Sequence, residues 1–223
     1  MKTEYIMNLT RRVVLTAAVG FFTNLTFAQS VQDGINFVDS QKYAKAKQNF
    51  TDLINQNPKD ASNFFYLGNI YLTQFDPNFT EAQDSFNKGL ALDPKSYLNK
   101  IGLASVKLGK GDRSAIAEIQ QIVKDSKEKD AEVLFRAGEA LTLFEKNNSP
   151  DLAISYLNKA IEKAQKNGVP AHYYYSLGDA YRLKKDPGNA MSAYDKAEVV
   201  AKNKASVYTR KGTLWIAAQQ WQQ

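Results

Sequence analysis

The chain has 223 residues, 43% of them hydrophobic, with 29 Lys+Arg against 23 Asp+Glu and a formal net charge of +6, enough apolar content for one or two domains or one repeat array with a continuous core. It contains no cysteine and a single histidine, His172, an inventory that excludes disulfides, thiolate nucleophiles, Cys-ligated zinc, His-based triads and two-His metal sites. The basic excess forms no block, so a nucleic-acid footprint has little support, and no catalytic, cofactor-binding or metal-ligating residue is assigned.

Residues 1–28 read as an address segment. Arg11 and Arg12 precede an apolar stretch, Val13 to Phe22, and Thr26 and Ala28 then place small residues at the two positions a signal peptidase reads. The apolar stretch is about half of the ~20 residues that cross a bilayer. The layout therefore predicts a cleavable Sec-type signal peptide, Gln29 as the new N-terminus, and no membrane span in the mature chain. The absence of cysteine also excludes a bacterial lipid anchor at the cleavage site.

Beyond residue 28 the chain repeats itself. "NFFYLGNIY" (Asn63 to Tyr71) and "YYYSLGDAY" (Tyr173 to Tyr181) align aromatic with aromatic, Leu67 with Leu177, Gly68 with Gly178 and Tyr71 with Tyr181. Each is followed by a second apolar series, Ala82, Phe86 and Gly89 in one and Ala190, Tyr194 and Ala197 in the other. Steps of three and four residues put each series on one face of a helix. Each unit is then two antiparallel amphipathic helices, with "DPN" (Asp76 to Asn78) or "DPG" (Asp186 to Gly188) in the turn.

This pattern resembles the tetratricopeptide repeat family, in which an aromatic, Leu-Gly and Tyr are followed by Ala, an aromatic, Ala and Pro over about 34 residues. The resemblance implies an all-α, right-handed solenoid of tandem helix pairs. The units run over 29–60 (Gly34, Phe37, Ala46, Phe50, Pro58), 61–96, 97–130, 131–169 and 170–204, with the first helix of a sixth at 205–223. The third unit is degenerate, with Leu103 and Ala104 where Leu-Gly is expected, and reads as a weak joint. The fourth carries extra residues around "EKNNSPD". Tyr208, Trp215 and Ile216 of the sixth are followed by no second helix, which suggests the N-terminal part of a longer protein.

The resemblance also implies a concave groove lined by the first helix of each unit. Carried over relative to each glycine, it is lined by Asn69, Glu139, Asp179 and Thr213, with Ser105 by analogy, and by Phe65, Phe135, Tyr175 and Thr209, with Ile101 by analogy. Two readings of these residues stand: they are partly core or a solvated wall, the ligand surface lying in further repeats, or Phe65, Phe135 and Tyr175 form an aromatic strip that anchors an extended protein or peptide partner, with Asn69 bonding the partner's backbone. Val31 and Ile35 stand where the carboxylate clamp of chaperone-binding members would need Lys and Asn, so that clamp is absent.

Other signals are weak. Asn49 and Asn78 each open a three-residue glycosylation pattern, "GKGDR" (Gly109 to Arg113) fits a turn better than a phosphate loop, Glu128 and Glu132 read as solvent-facing, and His172 reads as a helix-start residue. The function expected is a non-enzymatic, exported scaffold of the bacterial envelope, periplasmic or outer-membrane-associated. The alternatives are a glycan-binding module of an outer-membrane uptake system, or the docking arm of a longer enzyme.

Overall fold

The computed structural model describes residues 30–221; the expected signal segment, 1–28, lies outside the described residues. The helices are α1 (Val31–Asp39), α2 (Tyr43–Gln56), α3 (Ala61–Thr73), α4 (Phe79–Leu92), α5 (Tyr97–Gly109), α6 (Ala115–Asp125), α7 (Ala131–Ala140), α8 (Pro150–Ala164), α9 (Ala171–Leu183), α10 (Pro187–Val200) and α11 (Ala205–Trp221). Among the described residues there is no strand, and no helix is long and apolar enough to cross a membrane. Consecutive helices pair as α1/α2, α3/α4, α5/α6, α7/α8 and α9/α10, and the stacked pairs form an all-α helical-repeat solenoid.

Local chemistry sets the boundaries. Ser30 and Asp33 form a reciprocal capping box at the start of α1, with Asp33 N donating to Ser30 Oγ at 3.1 Å and Ser30 N to Asp33 Oδ2 at 3.2 Å. Asp60, Asn78, Ser96, Asp130 and Asp186 accept from backbone N–H groups in the first turns of α3, α4, α5, α7 and α10. Asn78 is thus occupied as a cap. Asn49 is buried inside α2 and donates to Ser30 O at 3.1 Å, so the first glycosylation pattern offers no free acceptor. The "GKGDR" stretch is the α5–α6 turn, reversed by Gly111 at φ +96°.

The recurring glycine serves close approach. In four of the five units the first helix presents it to a large side chain of the second: Gly34 to Phe50, Gly68 to Phe86, Gly138 to Leu157, Gly178 to Tyr194. A methyl group on Gly138 would stand 2.6 Å from Leu157 Cγ, inside contact distance. Phe86 is held between two such sites, Gly68 and Gly102, which ties unit two to unit three.

The apolar positions of the third unit are buried despite its degenerate pattern. Ile101, Ala104, Leu108, Ala115, Ile119 and Val123 are all buried in the largest apolar cluster among the described residues, which also draws on α7, α8, α9 and α10. Ala104 and Ile119 replace the usual glycine and aromatic without loss of burial. The extra residues of unit four form a short 3-10 turn at Glu145–Asn147 that packs back on α5 and α4: Asn147 Nδ2 donates to Leu108 O of α5 at 3.0 Å, and Phe144 meets Phe79 of α4 with centroids 5.8 Å apart. On α11, Val207 and Leu214 are buried, whereas Tyr208, Trp215 and Ile216 are exposed.

Gly178→Ala should lower stability by about 1–3 kcal/mol, because the Tyr194 ring must shift. Gly212, in α11 with nothing near its missing Cβ, is the control: Gly212→Ala should raise stability by about 0.5–1 kcal/mol. Urea midpoints of the two variants measure both signs.

Candidate functional site

The first helices of successive units face inward, and the array curves so tightly that they meet across the interior. Tyr66 of α3 donates through its hydroxyl to Glu132 Oε1 of α7 at 3.2 Å, and Asn69 Nδ2 donates to Glu139 Oε2 at 3.4 Å. These contacts bypass unit three. The two ends also touch: Ser206 of α11 donates its hydroxyl to the Asp39 carbonyl at the end of α1, and Asn203 Nδ2 donates to Ser40 Oγ at 3.3 Å.

At the centre lies a charged knot on α7. Arg136, 5% exposed, donates from Nε to Glu132 Oε1 and from a terminal nitrogen to Glu139 Oε2, both at 2.8 Å. Glu132 Oε2 also accepts from the Tyr173 hydroxyl of α9 at 3.0 Å. Burial pushes the Glu132 carboxyl up, but the Arg136 charge together with the hydrogen bonds from Arg136 and Tyr173 holds the group below the usual range. Burial likewise opposes the Arg136 charge, and Glu132 and Glu139 together hold the guanidinium well above its ordinary pKa. Burial and the Glu132 charge keep the Tyr66 and Tyr173 hydroxyls protonated far above their usual range. The guanidinium also lies against the rings of Phe65, Tyr66 and Phe135, at 5.4, 5.3 and 4.8 Å.

Of the two readings of the aromatic strip, the one that places it partly in the core agrees with the burial of Phe65, Phe135 and Tyr175. Phe65 is buried against Phe86, and Phe135 is buried and stacked on Tyr173 at 4.2 Å with planes 4° apart. Ile101 and Ser105 are buried, the serine hydroxyl donating to its own helix at Ile101 O, 2.9 Å away. Asn69 bonds Glu139 rather than offering its amide to a partner. Tyr175 is 3% exposed, with Arg210 of α11 4.6 Å above its ring. Asp179 accepts from the Tyr194 hydroxyl at 2.7 Å and from Arg210 Nε at 3.2 Å. Thr209 and Thr213 are exposed on α11. Glu132 is a correction too: it belongs to the knot, while Glu128 makes a half-exposed ion pair with Lys159 at 2.7 Å. His172 does stand at the start of a helix, but it is buried, its ring edge-on to Phe135 at 4.9 Å.

Among the described residues, two cavities of about 400 Å³ each lie between α1 and α9. Asp39, His172 and Tyr175 line both. The first also takes in Glu139, Asp179, Arg182 and Arg210, and opens past Phe75 in the α3–α4 turn, a phenylalanine wholly exposed to solvent. Burial pushes the Asp39 carboxyl up to about 6, against the pull of Arg210 and Arg136 and helped by Glu139. Burial, with Arg136 nearby and Glu132 opposing, drives His172 down to about 3, so its imidazole is neutral at pH 7. Asp39, Phe75 and Arg210 escaped the sequence reading because they sit outside the repeat pattern's marked positions, at a helix end, in a turn and on the incomplete last unit. The Glu132, Arg136, Glu139 spacing was visible, but an i, i+4 charge pair is most often a solvated one.

A tetratricopeptide repeat family model matches residues 33–97 and 139–206. Comparison with curated proteins yields no significant match. Among solved structures, the chain is similar to a thermophilic TPR protein of Thermus thermophilus, with a TM-score of 0.58, 15% identity, and coverage of 83% of this chain and 96% of that one. It is also similar to a tetratricopeptide repeat protein of Parabacteroides merdae, with a TM-score of 0.54, 16% identity, and coverage of 82% of this chain and 68% of that one.

Arg136→Ala leaves two carboxylates buried together without a counter-charge and should cost about 3–5 kcal/mol. Neutralising the knot as a whole (Glu132→Gln, Arg136→Met, Glu139→Gln) should cost less than that single change, a reversal of additivity that denaturant titration can read. Asp39 carries the opposite sign. Its raised pKa means the folded chain holds the proton more tightly than the unfolded chain, so the associated stability is full below the ordinary 3.8 and lost as pH rises through about 6. Asp39→Asn should therefore be more stable than wild type at about pH 7.5, with the gap narrowing at about pH 4.5.

Proposed function

Because the chain belongs to the tetratricopeptide repeat family, we propose that it is a protein-interaction scaffold whose inner surface, at the meeting of α1, α9 and α11, receives a segment of a partner protein. The family consists generally of non-enzymatic scaffolds, and the fold supports that role in broad terms. The observation that carries the finer reading is the first cavity, with Phe75 standing free at its mouth. An exposed phenylalanine beside a polar cleft is the arrangement of an anchor and a specificity pocket. The aromatic faces on which a sugar would stack, those of Phe65 and Phe135, are taken up inside the protein, which favours a protein segment over a glycan as the ligand.

The place of action proposed is the bacterial cell envelope, on the strength of the Arg11-Arg12, Val13 to Phe22 and Thr26-Phe-Ala28 layout. Export by a Sec-type route would deliver the chain to the periplasm or the inner face of an outer membrane.

A photo-crosslinking amino acid placed at Phe75 should yield a discrete adduct with one envelope protein, while the same probe at Lys88, exposed on the outer helix α4, should yield none. Equal labelling from both positions would sink the groove reading. N-terminal sequencing of the exported chain should begin at Gln29; an intact Met1 or Met7 terminus on the recovered protein would remove the support for export by this segment.

A further inference from the structure

Resting on the reading of the inner surface as the docking surface, we propose that the cavity behind Phe75 takes a basic side chain, lysine or arginine, of an extended partner segment, with an adjoining apolar residue of that segment packed on Phe75. The charges around the cavity leave one vacancy. Of its carboxylates, Glu139 is held by Arg136 at 2.8 Å and by Asn69, and Asp179 by Arg210 at 3.2 Å and by the Tyr194 hydroxyl. Arg182 is paired with Glu145 at 3.3 Å. Asp39 stands apart: among the described residues its carboxylate has neither a hydrogen bond nor an ion pair, and Arg210 and Arg136 act on it only through space.

A second unanswered group lines the same cavity. His172 is 8% exposed and its Nε2 has no hydrogen-bond partner. The neutral imidazole cannot supply the positive charge that Asp39 lacks, but it can join in binding a donor. A ligand that satisfies both brings a positive charge and N–H groups together, as an ammonium or a guanidinium does. A metal ion is the poorer fit, since among the described residues no three histidine or carboxylate groups converge to hold one. The volume of about 400 Å³ accommodates one long side chain.

Phe75 decides between a free small cation and a chain segment. Phe75 lines the cavity yet is wholly exposed, and a small cation paired with Asp39 brings no apolar surface to cover its ring. A polypeptide that places its basic residue on Asp39 can lay the next apolar side chain on that ring, burying apolar surface at the rim while the charge pair is made inside.

The test uses the full chain and fluorescein-labelled Gly/Ser decapeptides whose centre reads Leu-Lys, Leu-norleucine or Leu-Glu, followed by fluorescence polarisation at low and high salt. The Leu-Lys peptide should bind about tenfold more tightly than the Leu-norleucine peptide, and the margin should shrink with salt. Asp39→Asn should abolish the margin, and Phe75→Ser should weaken the Lys and norleucine peptides alike. Asp39→Asn removes an uncompensated charge and is expected to be at least as stable as wild type at neutral pH, so its loss of preference cannot be put down to unfolding. Equal binding of the Lys and norleucine peptides, or a Lys preference that survives in Asp39→Asn, overturns the basic-residue proposal and leaves the groove reading in place. Binding of none of the three also overturns it, and crosslinking from Phe75 then judges the groove reading on its own.

Discussion

The whole architecture turns on one buried positive charge. Arg136 is taken almost entirely out of water, a transfer that costs several kcal/mol unless the geometry compensates it. Compensation is complete here: two carboxylates of its own helix at 2.8 Å, and beyond them Tyr66, Asn69 and Tyr173 donating to those carboxylates from α3 and α9. These donors come from two other turns of the solenoid, so the network can be satisfied only when units two, four and five close around it. Three aromatic rings pack against the guanidinium and exclude the water that would otherwise compete.

A repeat array ordinarily has stability that sums over units and nearest-neighbour interfaces. Contacts between α3 and α7, spanning 66 and 70 residues, and between the ends of the array, spanning 163 and 167, break that rule. Such contacts couple distant units, and their closure entropy is recovered only once the intervening helices are formed. Closure also explains why the inner surface is nearly spent. The residues that line an open groove have turned to one another, and what is left free lies where the ring is sealed least tightly, between α1, the α3–α4 turn and α11.

Much of the fold was legible in the sequence because it depends on local periodicity. Gly178 and Tyr194 stand where the repeat pattern puts them, and their contact follows from two helices crossing at a fixed turn. Helix starts were equally readable in Asp186-Pro187, which caps and opens α10. The curvature was not legible, since it arises from side chains far apart in the chain, and with it went the distinction between groove and interior. Phe65 and Phe135 sit on the face assigned to them, but that face is inside. Glu132 looked like a solvated acid because nothing within a few residues reveals Tyr66 or Tyr173 approaching it. The third unit looked degenerate against a consensus, yet Ala104 and Ile119 are as buried as the glycine and the aromatic are elsewhere.

The closing helix carries a property that follows from its composition alone. The chain has two tryptophans, Trp215 and Trp221, and both lie on α11, the helix that meets α1 to complete the ring. Intrinsic tryptophan emission is therefore the signal of a single helix. Of the twelve tyrosines, ten lie between Tyr43 and Tyr194, in the other units, and these can act as energy donors to that one helix. The molecule thus carries an optical reporter on the one helix whose first turn closes the ring.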